Sequence, residues 1–148
     1  ACDICVASEE AKFATSEVRL GLAPSTISPY VIRAIGARQA SRYFFTAERI
    51  SAQQALNIGL AHEVVTEDQL DVKIDEIAQA ILLGGPQAQA SSKQLIQMVD
   101  QQELNEELLQ QTAQHIAHVR QGLEAKDGLT AFLNKHSPSW IKTSATQK

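Results

Sequence analysis

Glu17 is the side chain whose surroundings best suit chemistry. It closes the run Phe13-Ala14-Thr15-Ser16 and stands before a turn carrying Gly21 and Pro24. A carboxylate at the rim of an apolar pocket is poorly solvated, which favours its neutral form and fits it for general acid or base work near neutral pH. The competing reading, a solvated glutamate at a strand end, is not removed by local context. The histidines offer less. His115 and His118 stand three apart on an expected helix and could share a metal, but no carboxylate or third histidine is in register with them. They read as part of a solvated helix face, and His62 and His136 are assigned no role. Cys2 and Cys5 form a C-x-x-C pair. A zinc site would want a second pair, and residues three apart in an extended segment point to opposite faces, so they read as small core residues of a strand. Gly-rich phosphate loops, H-E-x-x-H and G-x-S-x-G are absent, and no metal is implied.

The elements that must position Glu17 are short. Ala1-Cys2-Asp3-Ile4-Cys5-Val6 reads as a buried strand already under way, and the only methionine is Met98, so the chain is expected to be part of a longer one. Ile4, Val6 and Phe13, separated by Ser8-Glu9-Glu10, suit strand, turn, strand. Ser28-Pro29 is expected to cap and start a helix through Val31, Ile32 and Ile35, ended by Gly36. A second helix follows over about 38–45. Ser51 with Gln54 has capping-box spacing for a third that stops at Gly59, and Val64-Val65 suits a brief strand.

Beyond about Glu67 the pattern is helical. Thr66 with Gln69 repeats the capping-box spacing, and Leu70, Ile74, Ile77 and Ile81 form one stripe before Gly84-Gly85-Pro86. Pro86 is expected to open a helix with Leu95, Met98 and Val99 on its apolar side. Leu104, Leu108, Leu109, Thr112, Ile116 and Val119 mark a long amphipathic helix ended by Gly122. A short helix with Leu129, Phe132 and Leu133 precedes Ser137-Pro138-Ser139-Trp140 and a polar tail expected to be disordered. A few short strands cannot cover so much helical surface. Either another subunit or domain does, or the helices fold on themselves, and periodicity does not choose.

Composition narrows the function classes. The chain has 148 residues, 44% hydrophobic and 20% charged, the mixture of a folded protein. A net charge of -4, with Lys and Arg scattered, gives no footprint for gripping nucleic acid. No apolar run reaches the roughly 18 to 20 residues of a membrane span, and no signal stretch opens the sequence, so the expected compartment is the cytoplasm.

Several short segments, taken in order, resemble the crotonase (enoyl-CoA hydratase/isomerase) family. They are Ala1-Cys2-Asp3, Ala11-Lys12-Phe13, Glu17, Leu20-Gly21, Pro24, Arg33 and Gly36, then the run from Thr46 to Ala52, Ala55, the run from Gly59 to Val65, and finally Gly128, Ala131-Phe132 and Lys135. The resemblance implies an α/β fold, here the C-terminal portion of a ββα spiral core (1–65) followed by an α-helical trimerisation region (66–140) and the tail (141–148). It implies homotrimers, often paired into hexamers.

The resemblance also implies chemistry. Family hydratases add water across the double bond of an α,β-unsaturated acyl-CoA, with two glutamates around the water and two backbone N–H groups on the thioester oxygen. Glu17 matches the second glutamate, which protonates the α-carbon; the first glutamate and the oxyanion hole belong to segments before Ala1. Ser16, Thr26, Phe132 and Lys135 are the implied substrate-binding residues, with Lys135 towards phosphate and Phe132 towards adenine. No cofactor beyond the CoA of the substrate is expected. Ser25-Thr26-Ile27-Ser28-Pro29-Tyr30 replaces the commoner Gly-rich turn and resembles the subgroup acting on methylglutaconyl-CoA, with Ser25, Thr26, Ser28 or Arg33 as candidate partners for a substrate carboxylate. Isomerase or thioester-hydrolase chemistry, and a non-catalytic helical assembly module, are the alternatives.

Overall fold

The computed structural model describes residues 2–100 and 102–141. The chain divides into two units, with the boundary between Ile77 and Ala78. The first holds four short strands. β1 (Val6–Ser8) pairs in parallel with β4 (Glu63–Val65), and β2 (Lys12–Phe13) pairs antiparallel with β3 (Ile50–Ser51). Strand, turn, strand is therefore observed around Glu9 and Glu10, but each strand finds its partner some 40 to 60 residues away. The helices here are α1 (Ser28–Thr46), α2 (Ala52–Asn57) and α3 (Leu70–Leu82), which crosses the boundary.

Glycine and capping signals account for these bounds. Ser28 is the first residue of α1 rather than its cap; its Oγ donates to the Ser25 carbonyl at 2.9 Å, and Pro29 lies in the first turn. Gly36 breaks α1 at φ 75, ψ 157, a conformation open essentially to glycine alone, so the two expected helices meet at a kink. Ser51 Oγ accepts from the Gln54 N–H at 3.3 Å, and Gln54 Oε1 accepts from the Ser51 N–H at 3.0 Å, closing the expected capping box. Ala40, Tyr43, Ile50, Ala55 and Ala61 are buried around Ala7 and Ile35. Burying an isoleucine such as Ile35 or Ile50 contributes on the order of 1.5–3 kcal/mol.

Two further expectations fail in this unit. Cys2 is exposed and lies before β1, and Cys5 is only half-buried at the core edge. Pairing starts at Val6↔Glu63, while the Cys5 N–H donates to His62 Nδ1 at 3.0 Å and the His62 N–H to the Cys5 carbonyl at 2.8 Å. The side chain of His62 thus substitutes for one more rung of the ladder. Thr66 makes no capping bond, and Glu67–Gln69 forms a 3-10 turn ahead of α3. Its hydroxyl goes instead to Asp68, whose carboxyl it helps hold below the usual range.

The second unit is built on α4 (Pro86–Val99), α5 (Glu106–Gln121) and α6 (Leu123–Leu133), which pack against one another. Pro86 opens α4 as expected. Leu104 falls outside α5 and is 80% exposed, because Asn105 Oδ1 accepts from the Leu108 N–H at 2.9 Å and starts the helix later. The inward face of α5 runs through Leu108, Thr112, His115 and Val119, while Leu109 and Ile116 stay exposed. His115 is therefore not on a solvated face; its Nε2 lies 3.0 Å from Ser91 Oγ on α4. Residues 142–148 of the expected tail lie outside the described residues, and Ile141 is half-buried. Leu82, Leu83, Ile96, Leu123 and Leu133 are each exposed by more than 60%. Among the described residues no helix is long and apolar enough to cross a membrane.

A β-carbon at Gly36 would meet nothing within 4 Å, so replacing it tests conformation alone. Gly36→Ala should lower stability by about 1–3 kcal/mol in urea unfolding; an unchanged midpoint would remove the kink's dependence on glycine.

Candidate functional site

Beyond β2 the chain turns sharply at Glu17. The Ser16 carbonyl accepts from the Arg19 N–H at 3.0 Å, and Glu17–Leu20 forms a single 3-10 turn. Gly21 closes it at φ 71, ψ 20, donating its N–H to the Val18 carbonyl at 3.2 Å, and the Leu22 N–H reaches the Glu17 carbonyl at 3.1 Å. Just before the turn, Thr15 Oγ1 donates to the Tyr43 carbonyl at 3.2 Å, part-buried and near the end of α1. Glu17 so sits on a stiff corner rather than at the end of a strand.

Glu17 is half-buried, and its Oε2 has no exposed surface and no hydrogen-bond partner among the described residues. Leaving a buried polar atom unpaired costs about 1–3 kcal/mol, more when it is charged, so such an atom in a native structure calls for an explanation, chemical use being one and a bound water another. Close in the chain, Phe13, Ala14, Thr15, Ile27, Val31 and Tyr43 help to line an apolar cleft of about 400 Å3, although Glu17 does not itself line it. Ser16 is exposed beside Glu17, and Thr26 is exposed in the turn before α1. Phe132 and Lys135 belong to the second unit. Phe132 is 80% exposed on α6, and Lys135 follows the helix at φ 55 with its N–H on the Phe132 carbonyl at 3.2 Å. Among the described residues no cluster of His, Cys, Asp or Glu could hold a metal ion.

The second unit holds a polar arrangement that sequence reasoning missed. Glu124 on α6 accepts from the Gln87 N–H at 3.0 Å and the Ala88 N–H at 2.7 Å, capping α4 from another helix. Gly85 makes room, since a β-carbon there would lie 2.5 Å from Glu124 Oε1. Trp140 Nε1 donates to the Leu83 carbonyl at 3.2 Å, and its ring lies over Gly128, where a β-carbon would meet it at 2.8 Å. Asp127 Oδ2 accepts from the Ser139 N–H at 2.8 Å. A glycine inside a helix, at Gly128, was the one signal of such a close approach.

An α/β chain with a half-buried carboxylate on a tight turn defines a class broader than any one enzyme, and comparison narrows it. Residues 1–143 match the family model described as enoyl-CoA hydratase/isomerase. The chain is 36% identical over 144 residues to the mitochondrial enoyl-CoA hydratase domain-containing protein 3 of Rattus norvegicus, covering 94% of this chain and 46% of that protein. To the short-chain-enoyl-CoA hydratase of Clostridium acetobutylicum it is 34% identical over 142 residues, covering 95% and 54%. A crystal structure of an enoyl-CoA hydratase from Shewanella pealeana superposes with a TM-score of 0.89 at 42% identity, covering 93% of this chain and 51% of the other. The chain belongs to the enoyl-CoA hydratase/isomerase (crotonase) family and has its α/β fold. It spans about half the length of the relatives it matches.

The backbone hydrogen bond from Ser139 holds the Asp127 carboxyl below the usual range. A carboxyl with a depressed folded pKa stabilises above its unfolded value and loses that contribution as pH falls through the folded one. Asp127→Asn should therefore weaken the protein at neutral pH and shrink the gap to wild type below about pH 4; thermal melts across pH check it, and a gap that widens in acid would count against the assignment.

Proposed function

We propose that this chain carries one acid/base group of an enoyl-CoA hydratase site, Glu17. Water adds across the conjugated double bond: its hydroxyl goes to the β-carbon, and Glu17 as the neutral acid gives a proton to the α-carbon. A second carboxylate takes the water's proton, and two backbone N–H donors hold the charge that develops on the thioester oxygen. On this reading those groups come from family segments before the matched region. The observation that carries the reading is the buried Oε2 of Glu17, without a hydrogen-bond partner among the described residues, on a hydrogen-bonded 3-10 turn. Relatives named as short-chain-enoyl-CoA and crotonyl-CoA hydratases support the reaction type.

Ser16, Phe132 and Lys135 are the proposed contacts to the acyl-CoA, the lysine towards phosphate and the phenylalanine towards adenine; the CoA arrives with the substrate and no further cofactor takes part. The exposed hydroxyls of Ser25 and Thr26 support a substrate bearing a carboxylate, such as methylglutaconyl-CoA. Isomerase or thioester-hydrolase turnover is the competing chemistry. A second reading is favoured by the exposed Leu82, Leu83, Ile96 and Leu133: helical assembly into a homotrimer or hexamer.

Hydration is read in the intact polypeptide as loss of enoyl-thioester absorbance with crotonyl-CoA and methylglutaconyl-CoA. Glu17→Gln should lower kcat by about 10²–10⁴-fold and leave KM little changed. Wild-type turnover in that variant would sink the reading.

A further inference from the structure

We infer that Thr15 is a positioning residue for Glu17, acting through its hydrogen bond to the Tyr43 carbonyl. This rests on the reading of Glu17 as the acid/base group. The bonds that shape the Glu17 turn run within it: Arg19 N–H to Ser16, Gly21 N–H to Val18 and Leu22 N–H to Glu17. They fix its form but not its place. Its place is set by packing on α1 and by one directed bond, Thr15 Oγ1 donating across 28 residues of sequence to the Tyr43 carbonyl at 3.2 Å. Tyr43 is 3% exposed and belongs to the buried core, so the acceptor is held by packing. The same carbonyl receives the Ala47 N–H at 3.0 Å at the end of α1, where backbone dipoles make carbonyls strong acceptors.

The chemistry needs that rigidity. Proton delivery to carbon demands that the acid stand within hydrogen-bond reach along a defined direction, and a displacement of about 1 Å can cost about 10²-fold in rate. Thr15 is two residues from Glu17, so a loosened Thr15 shifts the carboxyl while leaving distant contacts to the CoA intact. Its β-branched side chain has few rotamers, which keeps the hydroxyl aimed at its acceptor. Valine keeps the branched shape and removes the donor.

The test uses the intact polypeptide with crotonyl-CoA and the variants Thr15→Val, Thr15→Ala, Thr15→Ser and Glu17→Gln, each with its thermal midpoint. Thr15→Val and Thr15→Ala should lower kcat by about 10–100-fold with KM unchanged. Thr15→Ser, which keeps the donor, should restore most of the rate. The inference is overturned if Thr15→Val keeps full kcat while Glu17→Gln loses it. It is equally overturned if loss follows the thermal midpoint and KM in every Thr15 variant with no rescue by serine, since that is the mark of a merely structural residue. Full activity in Glu17→Gln would instead remove the reading of the site beneath it.

Discussion

In the first unit one carbonyl, that of Tyr43, ties the end of a helix to the segment before Glu17. The side chain of Tyr43 is packed among Ile35, Ala40, Ile50 and Ala55, so its backbone cannot drift. From that fixed point the carbonyl accepts from Ala47 to end α1 and from Thr15 to hold the segment leading to Glu17. The end of a helix and the approach to the candidate site are thus one feature. Alanines make this arrangement close: Ala40, Ala52, Ala55 and Ala61 are each at most 3% exposed and allow the backbones of neighbouring elements to approach.

A carboxylate that must work as an acid has to be dry enough to hold a proton and firm enough to aim it. At Glu17 a left-handed Gly21 closes a 3-10 turn, and one carboxylate oxygen is shut away from solvent. Crotonase folds host several reactions on one frame, and what separates them is which groups surround the thioester rather than the frame itself.

How much of this was legible in the sequence follows from how far each determinant reaches. Gly36, the Ser51–Gln54 capping box, Gly59 and Pro86 act on backbone within a few residues, and each stands where the sequence pattern puts it. Cys5, Thr66, Leu104 and His115 were misread because a partner decided each outcome: the His62 ring, the Asp68 carboxyl, the Asn105 cap and the Ser91 hydroxyl. Glu17 was visible by resemblance and only weakly by its surroundings. The tie from Thr15 was invisible, because its acceptor is a main-chain oxygen and leaves no trace in residue types.

The cap on α4 has a consequence for the order in which the second unit forms. Helix ends are ordinarily capped by a neighbour in sequence, so they are made as soon as the helix is. Here the Gln87 and Ala88 amides wait for Glu124, 37 and 36 residues later, and Glu124 reaches them only once α6 has docked past Gly85. The cap of α4, rather than its first turn, therefore awaits the docking of α6. Its amides become internal clocks, exchanging hydrogen with solvent until the last helix closes over them.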